Sequence, residues 1–387
     1  MDPITPAILH ISQPVEGGVG RCVRELVADQ LERGWAVTVA SPGGDLEDAV
    51  RGLGAAHVSW PAGRAPGPAT AVETMRLRWL FAEHPFALIH LHSSKAGAAG
   101  RLALRGRLPT IFQPHGWSFY PLSGALRRAA IAWERIGARW AHAILCVSET
   151  ERRRGEEAGI RARWEVVPNG IDPRALSPAS EVDRTAARAR LGLDRSPLVV
   201  CLGRICHAKG QDVLLDAWPR VLGRVPEARL ALVGGGPDAE ALRKRPSERV
   251  IFAGERPDAP DWLAAADVVA APSRWEGMSF AMLETMASAR SLVITDVPGA
   301  RDALGDEAAA VVPLGDLRAL AAAIIERLLD PALAAGEGAA ARARVERSYD
   351  VRDSTDGVAR LYARILGAPL EGLGDAELAA AQCGSTT

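Results

Sequence analysis

Two successive α/β domains, each built on a parallel sheet, are what this 387-residue sequence predicts. Three observations carry the prediction. Short apolar runs alternate with helix-length amphipathic segments, the alternation stops and restarts once, and the polar clusters fall where strands end. The first array opens with a strand at 7–11, which runs into the glycine turn Gly17-Gly18-Val19-Gly20, then a helix at about 21–33 and a strand at 36–40. Further strands are expected at 88–92, 110–113 and 143–147. A looser stretch containing Pro and Ser, 173–180, marks the junction. The second array places strands at 198–202, 229–233, 250–253, 268–271 and 292–295. Helices are expected between them at about 211–222, 238–244, 259–265 and 281–289, with another at 317–329.

The expected organisation is therefore a first Rossmann-like domain over 1–172 and a second over 181–345. A terminal helical region, 346–368, packs back across the junction, and a disordered tail rich in Gly and Ala follows at 369–387. Doubly wound sheets of this kind bind ligands beyond the carboxyl ends of their strands, so two facing domains would create a central cleft.

Composition excludes several classes. Net charge is −1 with no long basic run, so nucleic acid is not an expected partner. Cys22, Cys146, Cys201, Cys206 and Cys383 show no metal-ligand or disulfide spacing, which fits a reducing compartment. Residues 1–11 lack a signal-peptide pattern, and no apolar run approaches the roughly 20 residues of a membrane span. The expected location is cytoplasmic.

The most informative residues are Glu276 and Glu284, eight positions apart with Gly277 after the first and a helical run carrying the second. One carboxylate then sits on a loop at a strand's end and the other in the first turns of the next helix. Such a pair can hold hydroxyls at two points of an elongated ligand whose phosphates face the helix amino terminus. Arg204 and Lys209, in the loop after 198–202, suit a diphosphate: a planar bidentate donor beside a flexible point charge. Gly17 and Gly18 let backbone N–H groups approach an anion. His115, between Pro114 and Gly116 at another strand end, is a candidate site residue, while His92 either lines an acceptor pocket or caps the next helix. No D-x-D occurs in the sequence, so no metal bridging a diphosphate is suggested and no cofactor is expected.

Taken in order, Gly17-Gly18-x-x-Arg21, Pro114-His115-Gly116, Ser148-Glu149, Pro168-Asn169-Gly170-Ile171-Asp172, Gly203-Arg204 with Lys209-Gly210, Val233-Gly234-x-Gly236-Pro237, and Glu276-Gly277 with Leu283-Glu284 resemble the retaining GT-B glycosyltransferases of family 4, the group related to glycogen and sucrose synthases. The resemblance covers nearly the whole chain and implies the GT-B fold. It also implies roles. Arg204 and Lys209 would clamp the diphosphate, Glu284 would hold the ribose, and Glu276 would hold the donor sugar. Gly18 would approach the distal phosphate and His115 the reacting face of the sugar. Gly277 and the main chain of Met278, Ser279 and Phe280 would bind phosphate and sugar, and Arg256 would border the base. Gly17, Arg21 and His92 fall on the acceptor side. Two departures stand out. Relatives often carry Gly-Phe-Gly-Leu-Pro where this chain has Gly277-Met278-Ser279-Phe280-Ala281, and no role is carried to Pro298-Gly299-Ala300-Arg301-Asp302.

The activity implied is metal-independent transfer of a hexose from a nucleotide sugar, a UDP-sugar such as UDP-glucose or UDP-N-acetylglucosamine being expected. The acceptor would be a polysaccharide, a lipid-linked glycan or a secondary metabolite such as an aminoglycoside. Front-face attack is favoured, because the Glu pair does not flank one bond as glycosidase carboxyls do. A helix within 122–146 carries Arg127, Arg128, Arg135 and Arg139 opposite Leu126, Trp133, Ile136 and Trp140. It suits either an ordinary surface helix or contact with an anionic membrane. Rival readings are a nucleotide-sugar epimerase on the same fold, a catalytically silent sensor, and an NAD-dependent oxidoreductase. The last rests on the G-x-G-x-x-A match at Gly234–Ala239.

Overall fold

A computed structural model describes residues 3–64, 67–176, 178, 180–305 and 307–373. The chain forms two compact units, Met1–Asn169 with Val351–Thr387, and Gly170–Asp350.

The first unit holds a seven-stranded, all-parallel sheet. Its strands are β1 (Ala7–Ser12), β2 (Ala36–Ser41), β3 (Ala56–Ser59), β4 (Leu88–His92), β5 (Thr110–Gln113), β6 (Ala143–Cys146) and β7 (Trp164–Val166), in the order β3-β2-β1-β4-β5-β6-β7. Strands β1, β4, β5 and β6 are buried along their length apart from the edge of Ala7, which is why they read as continuous apolar runs rather than as alternating ones. Strands β3 and β7 lie at the two edges and are short and partly exposed, so their periodicity carries little signal.

The first helix spans Gly17–Glu32, starting four residues earlier than the sequence suggests and placing Gly17 and Gly18 inside its first turn. A tight approach sets this start, since a β-carbon on Gly20 would lie 2.6 Å from the Val15 carbonyl oxygen. The helix Val351–Leu366 belongs to this unit: Ser354 Oγ donates to the Pro168 carbonyl (2.7 Å) and Arg364 pairs with Glu165 (2.8 Å). Of the tail expected to be disordered, Pro369–Leu373 are packed. Leu370 is buried and bridges to Ile4. Residues 374–387, with Cys383, lie outside the described residues.

The second unit holds six parallel strands: β8 (Leu198–Leu202), β9 (Arg229–Val233), β10 (Val250–Gly254), β11 (Val268–Ala271), β12 (Ser291–Thr295) and β13 (Ala310–Val312). Their order is β10-β9-β8-β11-β12-β13. Its core joins β8, β9, β11 and β12 to the helices Gln211–Leu222 and Leu317–Leu329 through Val199, Leu214, Trp218, Leu230, Val268, Val293 and Ile324.

Both sheets are doubly wound, and in each the strand order reverses once, between β1 and β4 and between β8 and β11. Crevices of such sheets open at these switch points, at the carboxyl ends of the strands. Every candidate site residue except Arg256 and Glu284 lies in or just after a segment that leaves one of those strands or its neighbour. Among the described residues no helix is long and apolar enough to cross a membrane.

Candidate functional site

In the second unit the switch point brings the loops after β8 and β11 together. Gly210, with φ +69°, makes this possible: a β-carbon there would lie 2.1 Å from the Pro272 carbonyl oxygen. Arg274 N–H donates to the Ala208 carbonyl (2.8 Å), and the Arg274 guanidinium grips both oxygens of Asp212 (2.8 and 2.6 Å). The two loops thereby form one rigid wall. On it Lys209 Nζ meets Glu276 Oε2 at 2.7 Å and lies 3.5 Å from Ser279 Oγ, while the Ser273 hydroxyl donates to the other Glu276 oxygen. Ser273 was not foreseen; a Ser three residues before a Glu is too common to signal anything.

Arg204 is half-buried on the same loop, and its backbone is fixed by the Gln211 side chain, which donates to the Arg204 carbonyl (3.1 Å). Among the described residues no protein group accepts a hydrogen bond from its guanidinium. A planar fork of donors on a fixed backbone, without a protein acceptor, is suited to an anion. Phe280–Ala287 forms the next helix, with no side chain capping its start at Ser279, so its amino terminus adds partial positive charge. Met278 and Phe280 are buried on either side of Ser279, and Glu284 lies half-buried in the second turn.

The glycines at Gly234 and Gly236 have a structural task here. With φ +146° and +149°, they let this loop cross the one after β8, where β-carbons would lie 2.1 and 2.2 Å from the carbonyls of Gly203 and Ile205. The helix that follows, Ala239–Arg243, is a bare five residues. This is a loop crossing, and it removes the main support for the dinucleotide reading. Arg256 is not drawn to the Lys209–Glu276 cluster: it is exposed and its guanidinium pairs with Asp258 (3.0 and 2.5 Å).

In the first unit, Gly17 and Gly18 are exposed at a helix start whose preceding Glu16 makes no capping hydrogen bond. Arg21 pairs with Glu25 (2.8 Å). His115 follows β5 with φ +53°, a conformation costing a non-glycine residue roughly 1–2 kcal/mol. Glu151 secures it. This buried carboxylate accepts from Gly116 N–H (2.6 Å) and Val147 N–H (2.8 Å), while the Glu151 carbonyl accepts from Trp117 Nε1 (2.8 Å). Burial raises the Glu151 carboxyl to about 7, against the lowering effect of those two backbone donors.

His92 neither lines a surface nor caps a helix. It is fully buried behind His115, hydrogen-bonded to it (3.1 Å) and to His10 (2.9 Å), and as the residue before Ser93–Leu104 it makes no capping bond. His10, on β1, and His90 and His92, two apart on β4, share one face of the sheet. The pair His90-x-His92 was visible in the sequence. Its convergence with His10 depends on the β1–β4 register, which no local pattern gives. The three rings offer ligand atoms within 4.8 Å of one another, but five of their six nitrogens already hold hydrogen bonds to Gln30, Tyr362, His115 or each other.

In the helix Gly124–Gly137 the arginines are exposed as expected and Trp133 packs half-buried against Trp140, but Leu126 and Ile136, expected on the Trp face, are 69% and 48% exposed. Arg101, fully buried, pairs with Glu134 (2.7 Å) and stacks 3.9 Å over Phe112. Glu134 and Gly137 must face inward to accommodate it, since a β-carbon on Gly137 would lie 2.9 Å from that guanidinium.

Comparisons with known proteins follow the same division. Residues 16–175 match Glycosyltransferase Family 4, and residues 196–330 match Glycosyl transferases group 1. A GDP-mannose-dependent monoacylated alpha-(1-6)-phosphatidylinositol monomannoside mannosyltransferase of Corynebacterium glutamicum is 31% identical over 360 residues, covering 87% of this chain and 91% of the relative. The GDP-mannose-dependent alpha-(1-6)-phosphatidylinositol monomannoside mannosyltransferase of Mycolicibacterium smegmatis is 35% identical over 280 residues, 68% of this chain and 70% of the relative. Among solved structures, Anabaena HepE in complex with UDP-glucose superposes with a TM-score of 0.80 at 22% identity, covering 92% of this chain and 99% of that one. Sucrose-phosphate synthase of Thermosynechococcus elongatus gives 0.80 at 22%, covering 94% and 100%. At that identity the structures share the fold. With both domain types of the family in order and a 31% identical relative matched over nine-tenths of its length, the chain belongs to the family 4 glycosyltransferases of GT-B fold and is a glycosyltransferase.

Proposed function

We propose that the chain is a retaining, metal-independent mannosyltransferase that carries mannose from GDP-mannose to a hydroxyl of a lipid-linked glycan. The observation that carries the chemistry is the wall formed by Arg204, Lys209, Glu276 and the uncapped helix at Ser279. Breaking an anomeric C–O bond leaves positive charge on the ring and negative charge on the diphosphate. Fixed donors in a water-poor site stabilise that separation. Arg204, Lys209 and the helix amino terminus address the negative end. Glu276, oriented by Lys209 and Ser273, holds ring hydroxyls, Glu284 the ribose, and the main chain around Gly277 to Phe280 the phosphates. Gly18 approaches the distal phosphate and His115 the sugar.

Front-face attack, with the leaving diphosphate taking the acceptor's proton, accounts for retention without a nucleophile. Both Glu276 oxygens are occupied by Lys209 and Ser273, which supports a holding role over attack. For the donor, the relatives above 30% identity named here are GDP-mannose enzymes, so GDP-mannose replaces the UDP-sugar expected from sequence. The names of those relatives also favour a glycolipid acceptor over a secondary metabolite.

The exposed side chains of Gly124–Gly137, Arg127 and Arg128 with Leu126 and Ile136, support peripheral contact with an anionic membrane at its inner surface. The test is transfer from GDP-mannose, UDP-glucose and TDP-glucose into anionic glycolipid, with the product's anomeric configuration read by NMR. An inverted linkage, or transfer from the UDP- or TDP-sugar alone, would overturn the corresponding part of this reading.

A further inference from the structure

His115 does not stand alone in the first unit. Its Nε2 is hydrogen-bonded to His92 Nδ1 (3.1 Å), His92 Nε2 to His10 Nδ1 (2.9 Å), and His10 Nε2 to Gln30 Oε1 (2.9 Å). Beside this line the Tyr362 hydroxyl meets His90 Nδ1 (2.7 Å). His10, His90, His92, Gln30 and Tyr362 are buried, and Gln30 and Tyr362 come from the first and last helices of the unit. Burial holds His10 at about 4 and His115 at about 3, so the rings are neutral and each carries one N–H.

A line of neutral imidazoles has a direction. Gln30 Oε1 can only accept, so His10 donates from Nε2 and accepts at Nδ1. His92 then donates from Nε2 and accepts at Nδ1, and His115 donates from Nε2. Each proton between His115 and Gln30 has one acceptor.

We propose that Gln30, His10 and His92 are positioning residues that lock His115 into its Nε2–H tautomer and present its Nδ1 lone pair as a fixed acceptor to a hydroxyl of the transferred sugar. The proposal deepens the reading of His115 as a sugar-contacting residue and rests on it. With the other tautomer Nδ1 would be a donor, so the hydroxyl would have to turn and offer its oxygen instead. Holding one tautomer removes that ambiguity, and the line does so without placing a charge beside an oxocarbenium-like centre.

The experiment uses the full chain labelled with 15N-histidine, with His115 signals identified by their loss in His115→Ala. In the wild type, long-range 1H–15N spectra should show His10, His92 and His115 as Nε2–H tautomers. Gln30→Leu should mix the His115 tautomers and lower kcat about tenfold with donor KM within about twofold, because a misdirected contact at the reacting sugar costs rate rather than affinity. Gln30→Glu, assayed at a pH where its carboxylate accepts from His10 Nε2, should keep the His115 tautomer and most of the rate. A purely structural role predicts the reverse order, since buried Leu is better tolerated than a buried carboxylate.

If Gln30→Leu keeps one His115 tautomer and wild-type kcat while His115→Ala is inactive, the positioning role falls and the reading of His115 stands. If His115→Ala transfers at the wild-type rate, both fall. A d–d absorption on adding Co2+ to the full chain would assign His10, His90 and His92 to a metal and overturn the line.

Discussion

Replacing Lys209 by Met separates the two tasks its ammonium could have. In the fold, Lys209 pairs with Glu276 at 2.7 Å, with side chains 25% and 12% exposed. Breaking a fully buried pair costs about 3–5 kcal/mol, and an exposed pair about 0–1. This pair is partly solvated and Glu276 keeps the Ser273 hydroxyl, so the cost should be about 1 kcal/mol. For a domain of this size that lowers the Tm by about 3 °C. In the proposed reaction the same ammonium would face charge developing on the leaving diphosphate. Removing one preorganised donor of that kind costs about 10²–10³ in rate, ~3–4 kcal/mol. The assay is initial-rate mannosyl transfer from GDP-mannose beside a thermal melt. Transfer should fall at least a hundredfold while the melt moves only slightly. Transfer within threefold of wild type, with the melt lowered, would show that Lys209 serves only to hold Glu276.

Five other outcomes follow from the same geometry. Gly210→Ala forces a side chain into φ +69° and against the Pro272 carbonyl. It should lose about 3 kcal/mol in urea unfolding and most activity, because the clash displaces the loop carrying Glu276. Burial lowers His10 and His115 below 6.5, so the unfolded chain takes up protons first, and their contribution, present above pH 6.5, is lost as pH falls toward about 4. Stability should drop by roughly 2–3 kcal/mol per pH unit there, and His10→Phe should reduce that slope in denaturant titrations by about one proton. Glu151, raised to about 7, acts in the opposite sense: its carboxylate form is penalised in the fold, so stability falls as pH rises from about 4.5 to 7. Glu151→Gln should remove that dependence. Arg127→Ser with Arg128→Ser should reduce pelleting with anionic liposomes several-fold at low salt; unchanged pelleting would refute membrane contact through that helix. Mass spectrometry after incubation with GDP-mannose alone should find no mannosyl adduct on Glu276, and a stable adduct there would replace front-face attack by double displacement.

The sequence made the two sheets legible because buried parallel strands such as Leu198–Leu202 and Val268–Ala271 are continuous apolar runs. It missed β3, β7 and β13, which are edge strands three or four residues long with mixed exposure. Arg204, Lys209 and Glu276 could be read because residue type, glycine neighbours and position at a strand end agree. The imidazole line could not, because His10, His90 and His92 meet through strand register, and Tyr362 reaches them from 272 residues beyond His90. The exposure of Leu126 and Ile136 could not be read for a similar reason: Glu134 of Gly124–Gly137 is held inward by Arg101, a buried cation on another helix.

The central claim is that Arg204 and Lys209 stabilise a leaving nucleoside diphosphate during sugar transfer. It is tested most directly by comparing the wild type with the Arg204→Ala, Lys209→Ala double variant in transfer of labelled mannose from GDP-mannose to anionic glycolipid. The account predicts lipid-bound label with the wild type and a loss of more than a hundredfold in the double variant, with melting temperatures within a few degrees. Equal transfer by a folded double variant would contradict it.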